Sequence, residues 1–550
     1  MKFRNSFGEN VFRYKYAQGP GDTWEKLSER LVDDVCGTRN GTTQQIMSAE
    51  DRQQLVQYIK DMKFLPGGRY LYYAGRPFKA YNNCFLLRAE EDTREEWSNV
   101  TWRAMSCLMT GGGIGIDYSR LRASGKALSR TGGTASGPIP LMSAINEIGR
   151  NVMQGGSRRS AIYASLNWKH EDIDQFLHVK DWDAGTKERK LADFNAWAPL
   201  DMTNISVNYD DAAFLPDKDG LYSLANNPVF VENCKQALMT GEPGFSFNFG
   251  KKQNETLRNA CTEVTSEDDS DVCNLGSINL GNITTLDEFK SVVTLASKFL
   301  VCGTLRADLP YDKVYKVREK NRRLGLGLMG IHEFLLKRGS GYEVTPELHK
   351  WLKVYRDESE RAANEHCDRF YISRPVAYRA IAPTGSIGIL AGTTTGIEPL
   401  FAVAYKRRFL TEGTKWKYQY VVDGTAQNLI QEFGIDPNKI ESAIDLSEKY
   451  EQRIKFQADI QDYVDMSISS TINLPAWGSA GNNEKKVAEF TTTLAKFAPR
   501  LRGFTCYPDG SRGGQPLTSV PYEEAMRHKD VIFDEVDICT YTGHGGSCGI

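Results

Sequence analysis

The spacing of apolar residues divides this chain into a helical beginning and a longer part of mixed structure. Between residues 22 and 63, apolar side chains recur at helical intervals, starting with Trp24, Leu27, Leu31 and Val35. From about Leu65, short apolar runs broken by glycines alternate with further helical segments, among them Leu141–Met153, Pro228–Met239, Thr285–Val301 and Pro346–Cys367. This alternation predicts an α/β fold with a mostly parallel sheet or barrel.

Glycine-rich segments interrupt the pattern, and we expect turns or loops at Gly111–Gly115, Thr131–Pro138 and Gln154–Arg159. The last of these contains two arginines, which could bind an anion because guanidinium groups match phosphate oxygens. A solvated surface loop is the competing interpretation. The final residues, Cys539–Ile550, have no periodic apolar pattern, so we expect a mobile tail there.

Composition narrows the function without identifying it. The 550 residues are 40% hydrophobic, which is ample for a large core, and the net charge of -2 gives no bulk attraction to nucleic acid or to a membrane surface. No apolar run approaches the roughly 18 residues of a membrane span, and no signal peptide is predicted. The 11 cysteines, an odd number, favour the reducing cytoplasm. No cysteine or histidine cluster has zinc-site spacing, so we predict no metal.

A loop rich in glycine and hydroxyl groups is a candidate phosphate site. It contains Thr384, Gly385, Ser386 and Ile387. If a helix begins here, its unpaired backbone amides and its dipole would favour an anion. A plain turn is the alternative, and the sequence is not a Walker motif because no Gly-Lys-Ser/Thr follows.

The cysteines suggest redox chemistry when they are considered together. Asn259, Cys261 and Glu263 alternate, so their side chains would share one face if the segment were extended. A neighbouring carboxylate raises a thiol pKa, which makes Cys261 a poor hydrolytic nucleophile and suits it better to hydrogen-atom transfer. Glu263 could act as a general base. On its own, Cys261 would more simply be a structural cysteine. Further cysteines lie far away in the chain, at Cys84, Cys273, Cys539 and Cys548.

These motifs resemble the catalytic subunit of ribonucleotide reductases, and the resemblance runs from about Phe12 to the C-terminus. It implies a ten-stranded α/β barrel of two parallel half-sheets, with Cys261 on a loop threaded into the centre. We therefore expect an N-terminal helical region at residues 1–64, the barrel at 65–530 and a redox-active tail at 531–550. Asn321–Gly325 is also typical of that family.

The resemblance also implies a role for each site residue. Cys261 would become a thiyl radical, Glu263 would take a proton from the ribose, and Asn259 would orient the sugar. Cys84 and Cys273 would supply two electrons and close a disulfide. Cys548, with Cys539, would reopen that disulfide and be reset by a thioredoxin- or glutaredoxin-like protein. The loop Thr384–Ile387 would hold the phosphates of the ribonucleotide substrate.

Allosteric control is implied as well. Arg122, with Asp92 or its neighbour Glu91, falls at the effector site, which would bind a deoxynucleotide or ATP. The loop containing Gln154, Ser157 and Arg158 would connect that effector to the substrate. We expect a homodimer through the helix Leu141–Met153, whose apolar face could pack against its twin; a core helix in a monomer is the alternative.

The radical source distinguishes the classes of this family. The segment Thr505–Arg512 contains one tyrosine, Tyr507, where the class with a separate metal-radical subunit has two adjacent tyrosines. Its Tyr-x-Asp-Gly-Ser-Arg pattern resembles the adenosylcobalamin-dependent class II enzymes, so vitamin B12 is the expected cofactor. The alternatives are a class I large subunit and, from another functional class, a nucleotide-binding regulatory protein that has lost the chemistry. The intact cysteines argue against the latter.

Overall fold

In the computed structural model, residues 3–39, 41–152, 160–193, 196–411, 415–511, 517–529 and 531–534 are described. The α-helices are α1 (Ser6–Val11), α2 (Trp24–Cys36), α3 (Ala49–Lys60), α4 (Gly68–Tyr73), α5 (Arg94–Met109), α6 (Ile139–Asn151), α7 (Ile173–His178), α8 (Ala184–Ala192), α9 (Pro228–Thr240), α10 (Leu286–Arg306), α11 (Asp312–Asn321), α12 (Ile331–Lys337), α13 (Pro346–Arg369), α14 (Gly385–Ala391), α15 (Gly424–Phe433), α16 (Tyr450–Gln461), α17 (Val487–Phe497) and α18 (Tyr522–Arg527). A π-helix, Phe12–Tyr16, follows α1 directly.

The strands are β1 (Phe64–Pro66), β2 (Cys84–Arg88), β3 (Gly113–Asp117), β4 (Ile162–Asn167), β5 (Thr203–Tyr209), β6 (Leu215–Pro216), β7 (Tyr222–Ser223), β8 (Gly244–Phe247), β9 (Leu257–Arg258), β10 (Thr265–Ser266), β11 (Asp271–Asn279), β12 (Leu324–Met329), β13 (Ala404–Thr411), β14 (Lys415–Val422), β15 (Thr471–Leu474), β16 (Gly503–Pro508), β17 (Leu517–Ser519) and β18 (Ile532–Asp534). Five strands of the main sheet, β1, β2, β8, β11 and β12, are buried along their whole length, as expected where helices cover a parallel sheet.

Two parallel half-sheets form the centre of the molecule. The first contains β2, β3, β4, β5 and β8, each parallel to the next. The second contains the parallel pairs β11–β12 and β15–β16. The halves meet in antiparallel fashion twice, through β2–β11 and through β8–β16. This arrangement confirms the predicted fold class.

The segment 379–381 closes the ring between β12 and the residues just before β15. It makes a parallel bridge from Arg379 to Leu326 and another from Ile381 to Ile468. The backbone amide of Ala380 donates to Leu326 O over 3.2 Å, and the amide of Ser469 donates to Ile381 O over 2.8 Å. With this segment the barrel has its tenth member, while β1 lies outside the ring beside β11.

The N-terminal helices share a core with the second half of the barrel. Trp24, Leu31 and Leu55 belong to the same buried cluster as Leu326 of β12 and Phe299 of α10. The predicted helices at residues 22–63 are confirmed as α2 and α3. The proposed domain boundary at residue 64 stays a prediction.

Two expectations need correction. Gly111–Gly115 is not wholly a loop, because Gly113 begins β3. The apolar face of α6 is not available for a twin subunit, since Leu141, Met142 and Ile145 are buried in the core of their own chain. No helix among the described residues is long and apolar enough to cross a membrane.

Candidate active site

A short hairpin, residues 257–266 and here called the finger, carries the candidate catalytic residues between β8 and β11. Strands β9 and β10 pair antiparallel, and Asn259–Val264 form the tip. The tip is a turn and not an extended segment: Thr262 has φ of 70°, and its amide donates to Asn259 O over 3.0 Å. The alternating pattern therefore does not place the three side chains on one face.

The finger lies against the inner wall of the barrel. A Cβ atom on Gly115 of β3 would be 1.7 Å from the carbonyl oxygen of Arg258, so glycine is required there. Asn204 of β5 donates through Nδ2 to Ala260 O over 3.5 Å. On the other side, the amide of Ser467 donates to Glu263 O over 2.8 Å. Both half-sheets thus hold the tip.

The structure brings Asn259 and Glu263 together with Cys84. Asn259 Nδ2 donates to Cys84 Sγ over 3.0 Å, and Asn259 Oδ1 accepts from the Val264 amide over 2.9 Å. Cys84 Sγ donates to Glu263 Oε1 over 3.8 Å. Cys261 lies between Asn259 and Glu263 in the chain. It is exposed, whereas the other described cysteines are buried.

Cys84 and Cys273 face each other across β2 and β11, where they are paired in register. Directly opposed residues in antiparallel strands have Cα atoms about 4.5–5.5 Å apart, which a disulfide can span. Both are free thiols in this structure. Burial raises both pKa values well above the usual range; Glu263 adds to the effect at Cys84 and Asp271 at Cys273. At neutral pH both thiols are therefore protonated.

Glu263 has the properties of a poised base. Burial raises the pKa of its carboxyl group to about 7, although hydrogen bonds from its own backbone, Asn259 and Cys84 oppose the shift. Its Oε2 atom is buried and has no hydrogen-bond partner among the described residues. Asn83, just before Cys84, also has a buried side-chain oxygen without a partner in the described part of the chain. Both oxygens can accept hydrogen bonds from a sugar.

The predicted phosphate loop opens α14, with Thr384 as its N-cap in the left-handed region at φ 52°. Thr384 Oγ1 accepts from the Gly396 amide over 2.8 Å, which holds the loop closed. A Cβ atom on Gly385 would meet nothing within 4 Å. The structure therefore leaves open space above Gly385.

The N-terminal segment packs on the same loop, which sequence reasoning missed. Lys15 Nζ donates to Ser386 Oγ over 3.1 Å, and Arg4 Nη1 donates to Gly392 O over 3.1 Å. Arg4 also pairs with buried Glu333 at 2.8 Å. The only signal in the sequence was the basic stretch Arg13–Lys15. It could not be connected with Ser386, because Lys15 and Ser386 are 371 residues apart.

An ionic network fixes the base of the finger. Glu255 Oε2 accepts from Thr265 Oγ1 of β10 over 2.7 Å and pairs with Arg502 at 3.0 Å. Burial alone would raise the pKa of Glu255, but Arg502 and Arg323 lower it to about 2. Arg258 of β9 is buried and donates to Asn248 Oδ1 over 2.8 Å and to Arg502 O over 3.0 Å. The base of the finger is thus tied to Arg502, the residue before β16.

The candidate effector residues lie together on the surface. Arg122 Nε donates to Asp92 Oδ2 over 2.6 Å, beside an open cavity of about 460 Å³ that Lys126, Lys169 and His170 also line. Gln154, Ser157 and Arg158 lie outside the described residues, as do the tail cysteines Cys539 and Cys548. Within the described ranges, no group of three or more His, Cys, Asp or Glu side chains could hold a metal ion.

Comparison with known families identifies this barrel. A family model described as the barrel domain of ribonucleotide reductase matches residues 82–205, 228–350 and 374–496, which together cover most of the chain. The chain belongs to the ribonucleotide reductase family. This membership makes the chain a reductase of ribonucleotides.

Relatives of this reductase differ in how much of the chain they cover. A vitamin B12-dependent ribonucleoside-diphosphate reductase of Mycobacterium tuberculosis is 26% identical, over 88% of this chain and 75% of its own length. A protein of Mycobacterium phage D29, named as an adenosylcobalamin-dependent ribonucleoside-triphosphate reductase, is 28% identical over 95% of both chains. The ribonucleoside-diphosphate reductase large chain of Schizosaccharomyces pombe is 27% identical over 48% of this chain.

Proposed function

We propose that this ribonucleotide reductase is an adenosylcobalamin-dependent, class II enzyme. The observation that carries the proposal is the finger, which presents one exposed thiol, Cys261, beside a sealed pair, Cys84 and Cys273. Support for the class comes from the relatives that match nearly the whole chain, since those are named as B12-dependent. Tyr507 in β16, without a second adjacent tyrosine, agrees with that class.

The substrate would bind across the mouth of the barrel. Its phosphates would meet the backbone amides of Gly385–Ile387 and the hydroxyl group of Ser386, with the Lys15 ammonium group adding a positive charge. Asn83 Oδ1 and Glu263 Oε2 are two of the buried acceptors without partners among the described residues, and they would take donors from the ribose. Binding a ligand there would satisfy two oxygens that are otherwise costly to bury.

The finger residues would then divide the chemistry. When bound, adenosylcobalamin would supply the radical that removes a hydrogen atom from the Cys261 thiol. Cys261 would take the 3′ hydrogen atom of the ribose, and Glu263 would accept the 3′ hydroxyl proton at Oε2. Asn259 would hold the tip through the Val264 amide. Cys84 and Cys273, both protonated, would release two electrons and two protons as they join in a disulfide, and the 2′ oxygen would leave as water.

A second cavity, near the start of β5, would take part of a large cofactor. It has a volume of about 410 Å³ and is lined by Trp182, Trp477, Lys180 and Asp509, among others. Lys180 contacts Thr203 O, and the next residue, Asn204, donates to Ala260 O at the finger tip. Aromatic faces and ammonium groups suit a flat ring system that carries a phosphate group. We expect these residues to hold the cofactor within reach of the exposed Cys261.

Regulation would use the surface near Asp92 and Arg122, where a deoxynucleotide or ATP would bind. The loop with Gln154, Ser157 and Arg158 would carry the identity of the effector to the substrate. A homodimer would complete this site. Because the apolar face of α6 is buried, the twin would have to contact the outward residues of that helix, such as Ser143 and Ala144.

Re-reduction would depend on the tail. We propose that Cys548, with Cys539, reopens the Cys84–Cys273 disulfide and is reset by a thioredoxin- or glutaredoxin-like protein in the cytoplasm. Thiol–disulfide exchange requires direct contact between sulfur atoms, and both inner thiols are buried. Removal of residues 539–550 should spare activity with small dithiols and abolish it with thioredoxin. Full activity of the truncated chain with thioredoxin would contradict the assignment.

One assay decides the class. The purified chain is mixed with each ribonucleotide as the diphosphate and the triphosphate and with dithiothreitol, and product is measured with and without adenosylcobalamin. We expect deoxynucleotide only with the cofactor, and none from Cys261→Ser, because an alcohol O–H bond is too strong for the corresponding radical. Activity that instead requires a separate metal-radical subunit would make the chain a class I large subunit. Nucleotide binding without any reduction would favour the regulatory alternative.

A further inference from the structure

Asn321, Arg322 and Arg323 form a motif to which the proposed reaction gives no role. The motif lies at the corner between α11, which ends at Asn321, and β12, which begins at Leu324. Arg322 has φ of 43°, in the left-handed region that residues other than glycine rarely adopt. All three side chains are buried. Because an arginine is almost never fully buried unless it is paired, the partners of this corner should explain the motif.

Arg322 fixes the corner to the helices around it. Its Nη1 atom donates to Thr304 Oγ1 of α10 over 2.7 Å. Its Nε atom donates to the carbonyl oxygen of Ser373 over 2.9 Å, and its Nη2 atom pairs with Glu319 of α11 at 2.7 Å. Each of the three guanidinium nitrogen atoms therefore has a partner, and the residues before and after Arg322 are held in place.

Those two neighbours, Asn321 and Arg323, both contact Asp271. Asn321 Nδ2 donates to Asp271 Oδ2 over 2.9 Å, and Arg323 Nε donates to the same oxygen over 2.7 Å. The other oxygen, Oδ1, accepts from the backbone amide of Val272 over 2.8 Å. The Asp271 side chain is fully buried. A buried carboxylate is costly unless it is paired and hydrogen-bonded, so these contacts hold Asp271 in one orientation.

The same carboxylate also holds the finger. Ser266 Oγ of β10 donates to Asp271 Oδ2 over 2.7 Å. Asp271 is the first residue of β11, two positions before Cys273, and it lies opposite β2. One oxygen atom therefore joins the second strand of the finger to the strand that carries Cys273. We call this set of four residues the finger clamp: Asn321, Arg323, Asp271 and Ser266.

The position of β10 matters because the finger tip covers Cys84. Glu263 is only three residues before Ser266 in the chain. At the tip, Asn259 Nδ2 donates to Cys84 Sγ over 3.0 Å, and Cys84 Sγ donates to Glu263 Oε1 over 3.8 Å. A movement of β10 by about 1 Å would change these distances by an amount that is large for reacting groups.

We propose that the finger clamp positions the tip for reduction, so that Asn321 and Arg323 are positioning residues that act through the carboxylate of Asp271. Their effect would pass through β10, without contact between the motif and the ribose. The kinetic part of this proposal rests on the proposed function. The cover that the tip forms over Cys84 is a property of the folded protein alone, so it can be measured without turnover.

The first test measures that cover. Ser266→Ala removes the link to the finger and leaves Asn321 and Arg323 on Asp271, so no buried charge loses its partner. The reduced full-length protein, without nucleotide, is treated with iodoacetamide for increasing times, and alkylation of each cysteine is measured by mass spectrometry. Cys84 should react roughly tenfold faster than in the unsubstituted protein, because a displaced tip exposes it and removes the nearby carboxylate.

Controls separate the finger from the fold as a whole. Cys107 and Cys234 are buried elsewhere and should react at an unchanged rate. Ser297→Ala is the matched variant, because Ser297 is also buried but its hydroxyl group donates to Val293 O within α10, over 2.8 Å. It should leave the alkylation of Cys84 unchanged.

The second test uses the reductase assay with adenosylcobalamin. Ser266→Ala should lower kcat roughly tenfold with little change in KM, because the phosphate loop is not part of the finger clamp. The midpoint of the kcat/KM pH profile should also move to lower pH, since burial is what raises the pKa of Glu263. Asn321→Ala should act in the same direction. Added to Ser266→Ala it should have no further effect, because both residues act through Asp271.

Several results would overturn the proposal. Unchanged alkylation of Cys84 in both Ser266→Ala and Asn321→Ala would show that the tip is held without the finger clamp, as would equally faster alkylation of Cys107 and Cys234. Effects on kcat that multiply in the double variant would show that the two residues do not act through one carboxylate. If Ser266→Ala does not fold, Asn321→Ala alone serves in the alkylation test. An unsubstituted protein that reduces no ribonucleotide would refute the proposed function, whereas the alkylation result would stand.

Discussion

At the scale of single residues, the environment of Glu263 determines how this reductase responds to pH. Burial raises the pKa of its carboxyl group to about 7. A base must be ionised to accept a proton, so activity should rise with pH through about 7 and be lost below it. The pH profile of kcat/KM measures this, and Glu263→Gln should remove most of the activity. A flat profile between pH 6 and 8 would contradict the role of Glu263.

The same raised pKa has a consequence for stability that does not depend on activity. The folded protein holds the proton of Glu263 more tightly than the unfolded chain, so the carboxylate destabilises the fold as pH rises from 4.5, the ordinary value, to about 7. Glu263→Gln should therefore stabilise the protein at pH 8 by up to about 3 kcal/mol, and little at pH 4. Denaturant unfolding at both pH values tests this. Equal effects at both would show that ionisation is not the cause.

Lys15 is a second residue for which a single substitution should change one kinetic constant, KM, more than kcat. If its ammonium group meets the substrate phosphates beside Ser386, Lys15→Ala should raise KM roughly tenfold, the equivalent of about 1.4 kcal/mol for one charge-assisted hydrogen bond, with a smaller change in kcat. Lys218→Ala removes the same charge from an exposed turn and is the matched control. An unchanged KM for Lys15→Ala would mean that the contact is only structural.

At the scale of elements, the position of the finger requires a glycine, Gly115, in strand β3 of the barrel wall that faces it. The Cβ atom introduced by Gly115→Ala would overlap the backbone of Arg258, so either β3 or the finger must move. We expect a loss of about 1–3 kcal/mol of stability and a loss of kcat that exceeds the change in KM. Gly341→Ala, where nothing lies within 4 Å of the new atom, is the control. Full activity of Gly115→Ala would show that the finger tolerates displacement.

At the scale of the whole molecule, specificity should depend on the surface around Asp92 and Arg122. Arg122→Ala breaks the 2.6 Å pair with Asp92, so we expect effectors to lose their influence on base preference. The measurement is the relative rate on four ribonucleotides with and without each deoxynucleotide, together with light scattering to detect the dimer. A retained shift in base preference, or a monomer with effector bound, would contradict this part of the proposal.

Local patterns in the chain were enough to predict α2, α3, α9, α10 and α13, because each buries an apolar face repeated at helical spacing. The motif around Cys261 and the loop at Thr384 were also identifiable from the residues and their resemblance to a family. The orientation of the side chains within the motif could not be predicted, because a turn at Thr262 replaces the extended segment that the alternating pattern suggested.

Only the tertiary structure decided which distant residues meet. The approach of Cys84 to Asn259 and Glu263, the register of Cys84 with Cys273, and the contact of Lys15 with Ser386 join segments up to 371 residues apart. The sequence also did not determine what the apolar face of α6 packs against. An apolar stripe predicts that a helix face is buried, but it does not show whether the core of the same chain or a second subunit covers it. The periodicity of the sequence shows which residues are buried. Which residues they then contact is determined by strand pairing and by closure of the barrel.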